Sequence, residues 1–111
     1  MIQSLQDSCE EFKVKYYVGP VCTTDAPYRV TKSKINYLQR KGVLGIDMES
    51  SAIFALGIYR KVKVGCILVA SSNVTQPKTT IGFYTEKLRG AMLKAVKISI
   101  EAVRKLQHII R

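Results

Sequence analysis

Two acidic residues, Asp47 and Glu49, stand two positions apart where a predicted strand runs into a predicted helix. A carboxylate at such a junction can accept two hydrogen bonds at once, which is what a vicinal diol such as that of ribose demands. The same residues allow a purely structural interpretation, in which Asp47 caps the helix and Glu49 interacts favourably with the helix dipole. The pattern by itself leaves both interpretations open.

The elements that must position these carboxylates follow from the spacing of apolar residues. Helices are predicted at 2–12, 33–40 and 47–59 and again beyond 82, and strands at 14–18 continuing at 21–23, at 43–46 and at 64–70. The order is therefore α-β-α-β-α-β-α. Strands that alternate with helices imply an α/β fold with a mainly parallel sheet, flanking helices and right-handed crossovers.

Several of these elements carry sharper expectations. The segment from Val64 to Ala70 is apolar at every position, which is typical of a central parallel strand covered on both faces. Ser33 is expected to cap the second helix, which Gly42 ends. The third helix is expected to turn one apolar stripe inward. That stripe holds Met48, Ala52, Ala55 or Leu56, and Tyr59.

Ligands of parallel α/β sheets bind beyond the carboxyl ends of the strands. Three stretches follow predicted strands, namely Thr23 to Arg29, Asp47 to Glu49 and Ser71 to Pro77. The last of them belongs to a polar loop that continues to Gly82, and loops of that length in compact domains are usually functional. We therefore expect the site among these three stretches.

The chain is strongly basic, but its charge is spread along the sequence. The 111 residues include 18 Lys and Arg against 8 Asp and Glu, a formal charge of +10. Clustered basic residues would bind a nucleic-acid backbone by releasing counterions. No run of positive residues here exceeds two, so a solvated surface is favoured and a nucleic-acid-binding domain is the less favoured alternative. The length allows one domain, and 47% hydrophobic residues suffice for a core.

Other classes of site lack their motifs. Cys9, Cys22 and Cys66 are too widely spaced for a zinc or redox motif, and we expect reduced, mostly buried thiols. His108 has no ligand partner at helical spacing and is predicted to be a surface residue. No metal, Ser-His-Asp or phosphate-loop motif is present. No apolar run approaches the roughly 20 residues of a membrane span, and no signal peptide is recognised, so we expect a cytoplasmic protein without membrane contact.

Three segments together resemble the nucleoside phosphorylase family, which includes purine nucleoside phosphorylases, uridine phosphorylases and methylthioadenosine nucleosidases. Residues 45–56, GIDMESSAIFAL, are similar to that family's Met-Glu ribose-binding signature. Residues 18–28, VGPVCTTDAPY, are similar to its glycine, Ser/Thr, Asp and Phe-Tyr stretch beside the base. Residues 66–73, CILVASSN, are similar to its strand ending in Ser-Asp. All three occur in the family's order and at about its spacing.

The resemblance implies roles for individual residues. Glu49 would act in catalysis by accepting hydrogen bonds from the ribose hydroxyls and orienting the sugar. Met48 would pack against the sugar, and Asp47 is expected to be a further substrate-binding residue. Tyr28 would lie near the base, whereas Pro27 occupies the place where the family commonly has a stacking Phe, so base binding is expected to differ in shape or strength.

The largest departure from the family lies at Ser72, a catalytic position by resemblance. In purine-cleaving members this position is an Asp that protonates the purine ring, and a Ser hydroxyl cannot serve as that acid. Asn73 could donate a hydrogen bond if the loop shifts by one residue, and Ser71 and Asn73 are further substrate-binding candidates. This departure favours a pyrimidine substrate or an inactive site. Arg29 or Lys32 would have to replace the uracil-reading Gln and Arg of the uridine members.

The resemblance covers nearly the whole chain but only the C-terminal half of the family's domain, because residues 1–13 contain nothing like its phosphate-binding loop and arginines. We expect residues 1–111 to form a single domain with a partial nucleoside-phosphorylase-like fold. The implied ligands are a nucleoside and phosphate, the latter as co-substrate, with no cofactor. The implied partner is a second copy or the missing N-terminal half. The alternative is a truncated, non-catalytic, oligomeric nucleoside-binding remnant, and whether the chain is itself an enzyme stays open.

Overall fold

Four α-helices, one short 3-10 helix and two small sheets make up the computed structural model, which describes residues 1–75, 80–81 and 85–110. The helices are α1 (Ile2–Glu11), α2 (Lys32–Arg40), α3 (Ser50–Arg60) and α4 (Glu86–Ile110), and the 3-10 helix spans Pro27–Arg29. The strands are β1 (Val21–Thr23), β2 (Gly45–Asp47), β3 (Ser72–Asn73) and β4 (Thr80–Ile81). The α/β class predicted from the sequence is confirmed.

Strands β1 and β2 pair in parallel, and α2 lies between them along the chain. The ladder aligns Val21 with Gly45 and Thr23 with Asp47. The Thr24 N–H then donates to the Asp47 carbonyl oxygen at 2.9 Å, one residue beyond β1. Both strands therefore end at the same edge of this short sheet, which is where the sequence predicted a site.

The predicted central strand from Val64 to Ala70 is wrong. In the part of the chain that the structure describes, this segment enters no strand ladder, and neither does the predicted strand at 14–18. The Leu68 side chain is exposed, while its neighbours Ile67 and Val69 are half-buried. A strand that is apolar at every position needs partner strands and covering layers on both faces, and the described residues do not supply them.

The polar stretch after Ser71, predicted as a loop, begins with a short strand. Ser72 and Asn73 pair antiparallel with Ile81 and Thr80. Pro77, which the sequence placed in the functional loop, lies outside the described residues.

The packed core lies between α1 and α4. Cys9, Ile98 and Ala102 are its buried apolar residues, with Ala102 fully inaccessible. Ser4 and Ser8 are buried beside them. The Ser8 hydroxyl donates to the Ser4 carbonyl oxygen at 2.8 Å, so this buried hydroxyl has a hydrogen-bond partner. At the edge of this contact, Lys105 Nζ lies 2.7 Å from Glu11 Oε1 and joins the two helices.

The N-cap of helix α2 lies two residues before the predicted cap at Ser33. Thr31 is its N-cap, and the Thr31 hydroxyl accepts a hydrogen bond from the Lys34 N–H at 3.2 Å. Gly42 follows the helix with a φ of 73°, in the left-handed region that favours glycine. The predicted end of the helix is confirmed, whereas the predicted cap at Ser33 is wrong because Thr31 is the residue whose hydroxyl reaches a free N–H.

The apolar stripe predicted to face inward on α3 is exposed. Leu56 is 53% exposed, and Met48 and Tyr59 are exposed as well. The buried residues of α3 are instead Ser50 and Gly57. A Cβ at Gly57 would collide with the Val64 side chain, so the absence of a side chain at Gly57 lets this face of α3 pack closely against Val64. The apolar stripe of α3 is therefore left uncovered by the described residues.

Helix α4 has an uncovered apolar face too. Its exposed large apolar side chains are Met92, Leu93, Val96, Ile100 and Val103.

The three thiols are free, but only Cys9 is buried, so the prediction of mostly buried cysteines is wrong for the exposed Cys66. Within the described ranges, no helix is both long enough and apolar enough to cross a membrane.

Candidate functional site

A hydrogen-bonded cluster joins the ends of β1 and β2 to the start of α3. The Thr23 hydroxyl donates to Asp47 Oδ1 at 2.7 Å. The other carboxylate oxygen, Asp47 Oδ2, accepts from the Ser50 N–H at 3.0 Å and also from the Ser50 hydroxyl. The Thr23 hydroxyl in turn accepts from the Ser51 N–H at 3.0 Å. We call Thr23, Asp47 and Ser50 the junction cluster.

The charge of Asp47 is stabilised within this cluster. Burial acts to raise the pKa of the Asp47 carboxyl, but hydrogen bonds from Ser50, Thr23 and the backbone N–H groups of Ser50 and Glu49 outweigh it and hold the pKa below its ordinary value. Asp47 is therefore an anion at neutral pH. Both of its oxygens are already engaged inside the protein.

Glu49 occupies a different position from Asp47. It is the N-cap residue of α3, yet its side chain makes no capping hydrogen bond. The side chain is exposed, as is that of Met48 beside it. Of the two carboxylates singled out by the sequence, Glu49 is thus the one that projects an uncommitted anionic group next to the end of β2.

The residues predicted to meet the base follow the neighbouring strand. Pro27 and Tyr28 lie in the 3-10 helix after β1, and Tyr28 is 86% exposed. The turn between them and β1 is held by a hydrogen bond from the Ala26 N–H to the Thr24 hydroxyl at 3.1 Å. Because β1 and β2 are parallel neighbours, the segment with Pro27 and Tyr28 and the segment with Met48 and Glu49 leave the sheet at the same edge.

The third predicted segment follows neither β1 nor β2 along the chain. Ser72 and Asn73 form β3, which pairs with β4 in the second sheet. The Asn73 side-chain oxygen accepts from the Thr75 N–H at 3.0 Å and from the Thr75 hydroxyl at 2.6 Å, so it closes a local turn. Ser71 lines a groove of about 640 Å³ between residues 67–71 and α4. Among the described residues, the structure does not bring Ser71, Ser72 or Asn73 into the junction cluster.

That groove is apolar along most of its length. It is lined by Ile67, Leu68, Val69, Ser71 and one face of α4, including Met92 and Val96. Such a lining lacks the convergent polar groups that orient a sugar or a phosphate. It therefore offers little to a nucleoside, and the polar edge beside β1 and β2 is the better candidate site.

Sequence reasoning missed the side chains of Thr23 and Ser50. The sequence places Thr23 at the end of a predicted strand and in the motif at 18–28, and Ser50 in the motif at 45–56, but it assigns neither side chain a role. The local signal for Ser50 is its spacing of three from Asp47, the spacing at which a carboxylate accepts from a helix N–H. The contact between Thr23 and Asp47 spans 24 positions, and only the β1–β2 register reveals it.

Most of the chain is similar to known proteins of one family. A family model described as the phosphorylase superfamily matches residues 1–104 of the chain. Curated relatives named purine nucleoside phosphorylase DeoD-type are similar at low identity. The relative from Buchnera aphidicola subsp. Acyrthosiphon pisum (strain Tuc7) is 26% identical over 104 residues, which is 93% of this chain and 43% of the relative.

Two further relatives give the same result. The one from Dichelobacter nodosus (strain VCS1703A) is 29% identical over 91 residues, which is 82% of this chain and 37% of the relative. The DeoD-type 1 enzyme from Shewanella oneidensis is 23% identical over 106 residues, covering 96% of this chain and 44% of the relative. The chain thus spans less than half the length of these relatives. No solved structure matches the chain significantly.

Proposed function

The chain belongs to the phosphorylase superfamily, and from this premise we propose that it is the ribose- and base-binding half of a phosphorolytic pentosyltransferase that acts on a nucleoside. The observation that carries the proposal is the exposed Glu49 side chain, which makes no capping hydrogen bond at the start of α3 and lies at the sheet edge that also bears Tyr28. A carboxylate so placed can accept hydrogen bonds from both hydroxyls of a vicinal diol.

In the proposed reaction, the glycosidic bond from the sugar to the base breaks and a bond from the sugar carbon to a phosphate oxygen forms. The base leaves with the proton that the attacking hydrogen phosphate gives up, and ribose 1-phosphate is the second product. Positive charge builds on the sugar as the base departs, and the Glu49 anion orients and stabilises that sugar. Met48, exposed beside Glu49, supplies apolar contact to the sugar ring.

The base specificity we propose is of the uridine or purine type. The curated relatives are named for purine nucleosides, whereas the resemblance of residues 66–73 puts Ser72 where purine-cleaving members carry an acid. Ser72 lies in β3 and is only half-buried, and its hydroxyl cannot protonate a purine at neutral pH. Tyr28 offers an exposed ring for contact with either type of base, and Pro27 beside it adds a smaller, non-aromatic ring.

Phosphate is proposed as the co-substrate, and its binding residues are proposed to lie away from the sheet edge at which β1 and β2 end. The attacking phosphate must stand on the face of the sugar opposite to the leaving base, and the junction cluster contributes no cation to such a position. Because the chain spans less than half of its relatives, we propose that the complementary half of the fold provides the phosphate-binding residues. The apolar faces of α3 and α4 are the surfaces through which that half would pack.

Isothermal titration of the chain with inosine and with uridine tests the sugar-binding part of the proposal. We expect binding of at least one nucleoside, weakened at least tenfold by Glu49→Gln. The matched control is Glu86→Gln, which removes an exposed acid from the first turn of α4. Equal binding by the wild type and Glu49→Gln would contradict the proposed role of Glu49.

Phosphorolysis is tested separately, by measuring free base after incubation with nucleoside and phosphate. We expect no base release from the chain alone and release after its complementation with the N-terminal part of a DeoD-type relative. Release by the chain alone would contradict the proposal that the phosphate half is indispensable.

The second candidate function is a non-catalytic, oligomeric nucleoside-binding module. The observation that favours it is the amount of apolar surface on α3 and α4, since contiguous exposed apolar surface promotes association. Nucleoside binding by a self-associated chain that never releases base, even when complemented, distinguishes this candidate from the enzyme half.

A further inference from the structure

The N-terminus of α3 is capped by residues other than its N-cap. The first N–H groups of a helix have no acceptor within the helix, and the side chain of the N-cap residue usually accepts from one of them. Here the Ser50 N–H donates to Asp47 and the Ser51 N–H donates to Thr23. The N-cap residue Glu49 makes no such hydrogen bond.

We propose that Thr23 and Asp47 are positioning residues that cap α3 in place of Glu49 and thereby keep the Glu49 carboxylate available to the vicinal diol of a ribose. The inference rests on the proposed function and deepens it by assigning the two carboxylates different tasks. Asp47, with both oxygens engaged by Thr23 and Ser50, holds the turn. Of the two carboxylates, only that of Glu49 contacts the sugar hydroxyls.

The cluster holds the short turn through Met48 and Glu49 at both ends. On one side, Asp47 is the last residue of β2 and faces Thr23 in the ladder. On the other side, Ser50 is only 3% exposed, and its hydroxyl donates to Asp47 and lies 3.5 Å from the Cys66 sulfur. A turn anchored by a strand and by a buried helix start keeps its backbone in a narrow range of positions, so the Glu49 side chain starts from a defined point, which favours a bidentate contact with a diol.

The Thr23 hydroxyl stabilises the junction cluster both as a hydrogen-bond donor and as an acceptor. It donates to Asp47 Oδ1 at 2.7 Å and accepts from the Ser51 N–H at 3.0 Å. Replacing Thr23 by Val keeps the shape of the side chain but removes both bonds. Replacing it by Ser keeps the hydroxyl, so this pair of variants separates the hydrogen bonds from the packing.

The test measures inosine and uridine affinity by calorimetry for Asp47→Asn, Thr23→Val and Thr23→Ser in the full chain. The control is Thr85→Val, which removes the hydroxyl that accepts from the Leu88 N–H at the start of α4. We expect about tenfold weaker binding for Asp47→Asn and Thr23→Val, affinity restored in Thr23→Ser, and no change in the control. Amide exchange at Ser50 and Ser51 in the unliganded chain should quicken in the first two variants only.

A double-mutant cycle decides whether Asp47 acts through Glu49. If it does, Asp47→Asn weakens binding much less in a Glu49→Gln background than in the wild type. Fully additive losses would show that Asp47 acts independently of Glu49, and unchanged affinity in both Asp47→Asn and Thr23→Val would show that the cluster has no part in binding; either result overturns the inference. Absence of nucleoside binding by the wild type is a different result, which overturns the proposed function.

Discussion

The Thr23 hydroxyl and the Asp47 carboxylate are joined by a 2.7 Å hydrogen bond, and the same two residues stand opposite each other at the end of the β1–β2 ladder. Backbone pairing and side-chain bonding therefore coincide at one point. This point is also where the chain enters α3, so the strand ends and the helix start form one unit.

Asp47 should stabilise the fold in a pH-dependent way. Burial raises its pKa, but the stronger effect of the hydrogen bonds from Ser50 and Thr23 places the folded pKa below the ordinary value. The stabilisation is therefore complete above the ordinary value of about 4 and is lost as the pH falls through the folded value. Urea unfolding should show Asp47→Asn less stable by about 1 kcal/mol at pH 7, with the difference shrinking below pH about 4. A difference that stays constant down to pH 3 would contradict this.

Gly57 and Gly90 should respond in opposite directions to alanine. A Cβ at Gly57 would collide with the Val64 side chain, whereas a Cβ at Gly90 meets nothing within 4 Å. We expect Gly57→Ala to destabilise the chain by about 1–3 kcal/mol, since overpacking outweighs the gain in helix propensity. Gly90→Ala should stabilise α4 by roughly 0.5–1 kcal/mol. Thermal unfolding of the two variants measures both, and a stabilising Gly57→Ala would mean that α3 does not approach Val64.

Ile98 and Ile100 provide a matched test of the α1–α4 core. Ile98 is 1% exposed and Ile100 is 57% exposed on the same helix. Ile98→Ala should cost about 2–5 kcal/mol, because the cavity adds to the lost burial. Ile100→Ala should change the unfolding free energy of the monomer by less than about 0.5 kcal/mol. Denaturant unfolding at low protein concentration gives both values, and equal losses would place the core elsewhere.

The uncovered apolar face of α4 should drive self-association of the chain when no complementary half is present. Met92 and Val96 are both exposed and lie four residues apart, on one face of the helix. Sedimentation velocity should show a mass that rises with concentration. The double variant Met92→Lys and Val96→Lys should lower that mass, while the control Lys97→Arg should leave it unchanged. A wild type that stays monomeric at all concentrations would contradict the prediction.

Local features of the fold were accessible from the sequence because they depend on neighbouring residues. The extent of α1, the end of α2 at Gly42 and the strand-to-helix junction at Asp47 were predicted and are observed. The strand predicted from Val64 to Ala70 is not observed. An apolar run indicates a segment that needs covering, but strand pairing depends on a partner whose position no local pattern reveals.

The candidate site divides in the same way. Residue types and order already single out Asp47 and Glu49 at the junction, and they place Tyr28 and Pro27 after a neighbouring strand. The residue pattern alone left a structural role and a diol-binding role open for this pair, and the assignment of the ribose hydroxyls to Glu49 came from the family resemblance.

By itself, the sequence determined the α/β class, the extent of α1, the end of α2 at Gly42 and the chemistry present at the β2–α3 junction, all of which arise from short-range patterns. Only the tertiary structure decided that Asp47 is bound by Thr23 and Ser50 while the Glu49 side chain is exposed. The physical reason is that the register of two strands joins residues 24 positions apart, and a hydrogen bond formed across that distance determines which carboxylate stays free.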